Sequence, residues 1–322
     1  MNIAPPRLPR ARRVASWKCR TSTAWLLIRS IRNTRLSASK MATLSFSPWS
    51  SAGWTRRSTY AAAATAAFLC TLLTGSVPVI AASSIDGTAG ANFNAPAGFP
   101  KPTRNLPRAV QPLRIPAGTT IDFHDAAISG TTSGSSEYQL PVVIVEPGAT
   151  VKNLIVEAPA ADGVHCQATC TLDSVWFPNV GEDAGTLEDG SSANSVMTID
   201  GGGARHAHDK VFQIDGAGSV IVRNFSADDV GTLIRSCGNC LHQYRRHIEV
   251  INSLIRDGHY HVGGININYG DTAKFANITV IGNRLPLCQE SLGSKGGKAT
   301  FLPYKGPDKY CQYDPATIIN AY

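Results

Sequence analysis

ADGVHCQATCTLDSVWFPNVGED, residues 161–183, holds two acidic points about twenty residues apart. It carries Asp162 near its start and Glu182 and Asp183 at its end, each acidic point standing at the end of a short alternating apolar run. If the chain coils once between them, the two acidic points become neighbours. A wound sheet would build a carboxylate cluster in that way.

Outward from this stretch the same form recurs. VKNLIV at 151–156, LDSVW at 172–176, VRNF at 222–225, VINSLI at 250–255 and FANITV at 275–280 each place Asn or Asp just before an alternating strand. The polar residues Asn153, Asp173, Asn224, Asn252 and Asn277 are spaced by 20, 51, 28 and 25. The long interval has room for an extra coil around Lys210–Ile214. No helix-length apolar period runs through this region, and an irregular period in the twenties built of strands and turns predicts an all-β parallel β-helix, a single-stranded solenoid whose coils bury their apolar sides on one another. A sandwich or barrel would also give short strands, but no Asn-Gly or Asp-Gly pair stands between two of these strands as a two-residue hairpin turn.

Charge and cysteines bound the remainder. Residues 1–82 hold 12 of the 30 Lys and Arg residues and none of the 23 Asp and Glu residues, so the overall charge of +7 belongs to this leader. It is poor support for a nucleic-acid partner, and none is expected. Arg56 and Arg57 precede an apolar run that ends near Ala81 and Ala82, which reads as a secretory signal over 41–82; dilution by Thr, Ser, Gly and Pro argues against a membrane anchor. Residues 1–40 are an extension with two readings, an Arg-rich targeting segment or a start at Met41, and the start at Met41 is preferred. Residues 83–112, rich in Pro, Gly and Ala, read as a linker or a loosely attached arm, and 113–322 as the β-helix domain. Beyond the leader stand Cys166, Cys170, Cys237, Cys240, Cys288 and Cys311. In a secreted chain they suggest three disulfides; fifteen pairings are open, the local one (166 with 170, 237 with 240, 288 with 311) is a guess, and a zinc site is the weaker rival.

Asp162, Glu182 and Asp183, stacked one coil apart at about 4.8 Å, would repel one another unless a cation lay between them, and hard oxygen ligands prefer calcium. The bland alternative is solvated turn carboxylates. A cationic group follows in Lys210, Arg235, Arg245 and Arg246. Cations beside a calcium site would suit an anionic substrate.

At this point the motifs carry a resemblance. ADGVHC at 161–166, VWFPNVGEDA at 175–184, GGGARHAHDKVFQ at 201–213, IRSCGNC at 234–240, YRRHI at 244–248 and GININYGDTA at 264–273 are similar, in order, to the pectate lyases of polysaccharide lyase family 3. The resemblance spans about residues 137–283 and implies a secreted, right-handed parallel β-helix. The enzyme it implies is a pectate lyase that cleaves de-esterified polygalacturonate by calcium-dependent β-elimination to give 4,5-unsaturated oligogalacturonides, acting as a monomer on pectin in plant cell walls. Carried over by motif, Asp162, Glu182 and Asp183 bind Ca2+, and Lys210 and Arg235 serve catalysis. The C5 proton is a weak acid, so the charge that develops as it leaves needs a cation. Lysine shifts its pKa more readily than arginine, which makes Lys210 the expected base and Arg235 the group that positions substrate, with the exchange of roles left open.

The family's FGKLYRSCGNC is VGTLIRSCGNC here, from Val230: Thr232 replaces a lysine and Ile234 a tyrosine. Loss of that cation motivates an alternative, a catalytically impaired pectin-binding or host-sensed β-helix; a hydrolase is a third reading by fold analogy. EYQLPVVIVEPGATVKNL from Glu137 also departs from the family, and Glu137 is a loose candidate for the cleft. His165 and Trp176 read as packing or turn residues, and Asp228-Asp229 as an acid pair without a Gly-His-Gly companion. Asn224 and Asn277 fit the glycosylation sequon but stand at the repeating strand-start position.

Overall fold

The computed structural model describes residues 98–131 and 139–321. The expected extension, the signal segment, the linker up to residue 97 and Glu137 lie outside the described residues. Within them the ordered segments are strands, apart from two short 3-10 turns at Ile267–Tyr269 and Pro315–Thr317.

The short alternating runs coil as expected, and the strands of successive coils pair in parallel to make three stacked sheets. The first sheet holds Leu113–Ile115, Val143–Val145, Asp162–Cys166, Asp183–Leu187, residues 212–214 and 234–236, His261–Asn266 and Cys288–Leu292. In the second sheet Ile121, Val151, Leu172, Ile199, Val222, Val250 and Phe275 form one inward column. The third contributes Ala204, Ala227, Ile255 and Val280. The expected extra coil exists: its strand, Val196–Ile214, runs through all three sheets and includes 210–214.

The repeated Asn marks a bend between the second and third sheets. Asn153, Asn224, Asn252 and Asn277 have φ of 49°, 56°, 48° and 55°, a left-handed conformation that asparagine tolerates better than most residues. In the coil of Asp173 the bend falls one residue later, at Ser174, and the extra coil bends at Gly201. Asn224 Nδ2 donates to Asp200 Oδ1 at 2.7 Å and Asn252 Nδ2 donates to Asn224 Oδ1 at 2.6 Å. The Asn224 amide is therefore part of the stack.

Inside the coils the core is aliphatic, with an aromatic column at its middle. Phe212 packs edge-to-face on Phe177 and Phe225, with centroids 6.3 and 5.2 Å away, and all three rings are buried. Outside the third sheet, Trp176 packs with Ala127 and Ile155 and is covered by Phe99, as its reading as a packing residue expects. That contact belongs to an arm. Leu106 and Ala109 donate to Ala127 O and Ser129 O at 2.8 Å each, so residues 98–112 do not dangle but line the first coil, hydrogen-bonding part of its exposed strand edge. The three disulfides are Cys166–Cys170, Cys237–Cys240 and Cys288–Cys311, the local pairing.

Deleting the central ring removes contacts to two neighbours at once. Phe212→Ala is expected to cost about 3–5 kcal/mol, read as a lowered urea midpoint with an unchanged m-value.

Candidate active site

The coil between residues 162 and 183 closes as the opening stretch requires. Asp162 pairs in register with Asp183, and the Glu182 amide donates to Ala161 O. Glycines allow this approach: a Cβ on Gly181 would lie 2.1 Å from Ala160 O, and one on Gly163 would lie 2.2 Å from Ala184 O. Further along the same sheet, Lys210 pairs with Thr232 and Thr232 with His261.

Lys210 gathers the carboxylates. Its Nζ donates to Asp209 Oδ2 at 2.7 Å and Glu182 Oε1 at 3.2 Å and lies 3.5 Å from Asp183 Oδ1. Burial by itself would lower the Lys210 pKa, but the charges of Asp183, Asp209 and Glu182 raise it above the usual lysine range. Asp183 is 2% exposed, and desolvation pushes its carboxyl well up against the opposing pull of Lys210. Its Oδ1 accepts no hydrogen bond.

Asp162 is not drawn into that group. Its Oδ1 lies 3.3 Å from His165 Nε2, without the alignment of a hydrogen bond, while His165 Nδ1 bonds Glu188 Oε1 at 2.9 Å. Burial opposes a charge on His165, but Asp162 and Glu188 outweigh it and raise its pKa to about 9. His165, read from sequence as packing or turn, thus lies between Asp162 and Glu188, whose charges favour its protonated form.

Do these residues fit calcium? The donor set is three hard carboxylates, one of them buried with an oxygen that accepts no hydrogen bond, and a cation, Lys210, is already drawn to two of them. They fit, although the ligand atoms of all three do not converge within 4.8 Å among the described residues. The two groups that do converge, Asp215 with Cys237 and Cys240, and Glu290 with Asp308 and Cys311, contain disulfide cysteines and offer no thiolate, so the zinc reading has no support there.

Arg235 lies in the same cleft, whose lining includes Asp209, Lys210, Gln213, Lys298 and Phe301. Among the described residues its guanidinium makes no hydrogen bond or ion pair; it stands 5.2 Å from the Phe301 ring centroid, and burial lowers its pKa. The expected cationic group divides at this point. Arg246 is fully buried and structural, with Nη2 donating to Asp215 O at 2.6 Å and Nε to Gly216 O at 3.0 Å, while the exposed Arg245 donates to Gly270 O. Asp229 of the Asp228-Asp229 pair is clamped by His206 and His259, each at 2.8 Å.

Asp209, Gln213, His261, Lys298 and Phe301 escape the sequence reading. Asp209 and Gln213 lie in the HAHDKVFQ motif, but nothing in their order shows which side chains face the cleft. Lys298 and Phe301 come from a tail with little strand pattern.

The Pectate lyase family profile matches residues 97–298. The chain is 42% identical to probable pectate lyase F of Aspergillus terreus over 186 residues, covering 56% of this chain and 78% of that protein. It is 41% identical to pectate lyase H of Emericella nidulans, covering 53% and 65%. Among solved structures, the catalytic domain of pectate lyase PelI from Erwinia chrysanthemi aligns with a TM-score of 0.57 at 27% identity, over 68% of this chain and 98% of that one. The same lyase in complex with tetragalacturonic acid aligns with a TM-score of 0.54 at 28% identity, over 68% and 70%. A parallel β-helix with these motifs in this order, matched by family and by structure, makes the chain a member of the pectate lyase family, enzymes that act on polysaccharides as carbon–oxygen lyases.

Proposed function

We propose that this chain is a secreted, monomeric, calcium-dependent lyase of de-esterified polygalacturonate, the pectate of plant cell walls, and that it releases 4,5-unsaturated oligogalacturonides by β-elimination. The observation that carries the reading is one cleft in which Lys210 touches Glu182 and approaches Asp183 while Arg235, among the described residues, makes no ion pair. Such a cleft asks for an anion. The relative solved with tetragalacturonic acid supports a galacturonate chain as that anion.

In this reading Asp162, Glu182 and Asp183 hold Ca2+, which when bound neutralises the uronate carboxylate and makes the C5 proton more acidic. Lys210 is the base. The carboxylates around it favour its ammonium in the free protein, so Lys210 acts as base only once that proton has passed to solvent; the neutral amine then takes the C5 proton while the C4–O bond breaks and the departing glycosidic oxygen takes a proton from water. Arg235 positions the uronate and offsets charge as it develops. His261, one coil beyond Thr232, is buried; burial first and the Arg235 charge next lower its pKa to about 4. At neutral pH it adds no charge beside Arg235.

Secretion rests on the leader at 41–82 and on three disulfides, which persist in oxidising compartments. No described helix is long and apolar enough to cross a membrane.

Incubation with polygalacturonate and calcium should raise the ultraviolet absorbance of unsaturated product, and a chelator should abolish the rise. New reducing ends without absorbance would instead mean hydrolysis. Lys210→Ala should lower turnover by about 10²–10⁴-fold, and near-normal turnover would remove Lys210 as the base. Asp183→Asn should raise the calcium concentration needed for half-maximal turnover. For His261 the folded pKa lies below the unfolded value, so its contribution to stability is present above about pH 6.5 and lost as pH falls toward 4. His261→Asn should flatten that loss by about 2–3 kcal/mol, read from urea unfolding at pH 7 and pH 4.5.

A further inference from the structure

The tail beyond Cys288 turns back over the cleft as a strap. Leu292 pairs antiparallel with Thr300, and Ser291 with Phe301. Ser294 N donates to Gly238 O at 2.8 Å and Gly296 N to Asn239 O at 3.0 Å, so the strap is hydrogen-bonded to the turn that Cys237–Cys240 closes. Gln243 Nε2 adds a bond to Ser294 O at 3.1 Å, and Leu302 N donates to Glu290 O at 2.9 Å. Cys288–Cys311 ties the base of the strap. Its backbone is thus anchored on both sides of Lys298.

Two of its side chains line the cleft. Phe301 lies beside Arg235, and its centroid is 6.4 Å from that of His261. Lys298 lines the cleft with Arg235, Lys210, Gln213 and Asn239; it is exposed and, among the described residues, makes no hydrogen bond or ion pair. The one carboxylate among the described lining residues, Asp209, is already bonded to Lys210. The cleft therefore has two cations with no carboxylate of their own, Arg235 on the sheet and Lys298 on the strap. Thr232, 2% exposed and with its Oγ1 3.5 Å from His261 Nε2, adds no charge to the cleft.

We propose that Lys298 is a substrate-binding residue: the anchored strap presents its ammonium at the cleft, to pair with a uronate carboxylate next to the one that Arg235 takes. This rests on the galacturonate reading of the cleft. A polyanion with one carboxylate per sugar presents successive charges to successive cations, and a cation carried by an anchored strap loses less freedom on binding than one on a free loop. Lys298 is exposed, so its removal does not threaten the core.

The test compares wild type with Lys298→Ala and Lys298→Arg, measuring both turnover on polygalacturonate and the affinity of a short oligogalacturonate by calorimetry with calcium present. Lys298→Ala should weaken affinity and raise KM by about tenfold at low ionic strength, with kcat changed little, and the deficit should shrink as salt rises. Lys298→Arg should restore most of the affinity. Unchanged affinity and KM in Lys298→Ala would overturn the assignment, as would a fall in kcat alone. Failure of the galacturonate reading has a different signature, a wild type that neither binds the oligosaccharide nor acts on the polymer.

Discussion

Stacking one coil on the next at a single strand spacing is the constraint on which everything else here depends. A parallel solenoid places residues of successive coils about 4.8 Å apart, and it does so for every residue type alike. For Val151, Leu172, Ile199 and Val222 the result is a continuous apolar column. For Asp162 and Asp183 it is two carboxylates in register, which is unfavourable without a cation. The same geometry that makes the core therefore creates the need for charge compensation at the cleft.

The protein meets that need with separate basic side chains. Lys210 lies against Asp183, Glu182 and Asp209, and His165 faces Asp162 and bonds Glu188. Lys210 and His165 thus stand beside different members of the acidic cluster, although Asp162 and Asp183 occupy one register position. The Lys210 ammonium answers the negative charge of Glu182, Asp183 and Asp209, the same charge that a divalent ion would answer if one bound there.

Much of the motif set serves architecture. The buried Arg246 of YRRHI and Asp271 of GININYGDTA are joined through the Arg246 amide, which donates to Asp271 Oδ1 at 2.9 Å, and Ser236 of IRSCGNC donates to Asp271 Oδ2 at 2.6 Å. Leaving such a buried charged group unpaired would be costly, so these residues are tied to one another whatever the cleft does. Their network also supports the turn that carries Cys237 and Cys240, against which the strap lies.

The sequence by itself determined the coil. Apolar alternation with Asn153, Asn224, Asn252 and Asn277 at the bends is local, because strand period and left-handed tolerance are properties of single residues and their neighbours. It likewise pointed to Asp162, Glu182, Asp183, Lys210 and Arg235 through motif. Tertiary structure alone decided which charges meet: that Arg246 is interior and Arg235 lines the cleft, that His165 faces Asp162, and that Lys298 and Phe301 reach the cleft from far along the chain. Those outcomes depend on which coil lies beside which and on how the tail folds back, and Coulomb energy depends on distance in space, which sequence separation does not encode.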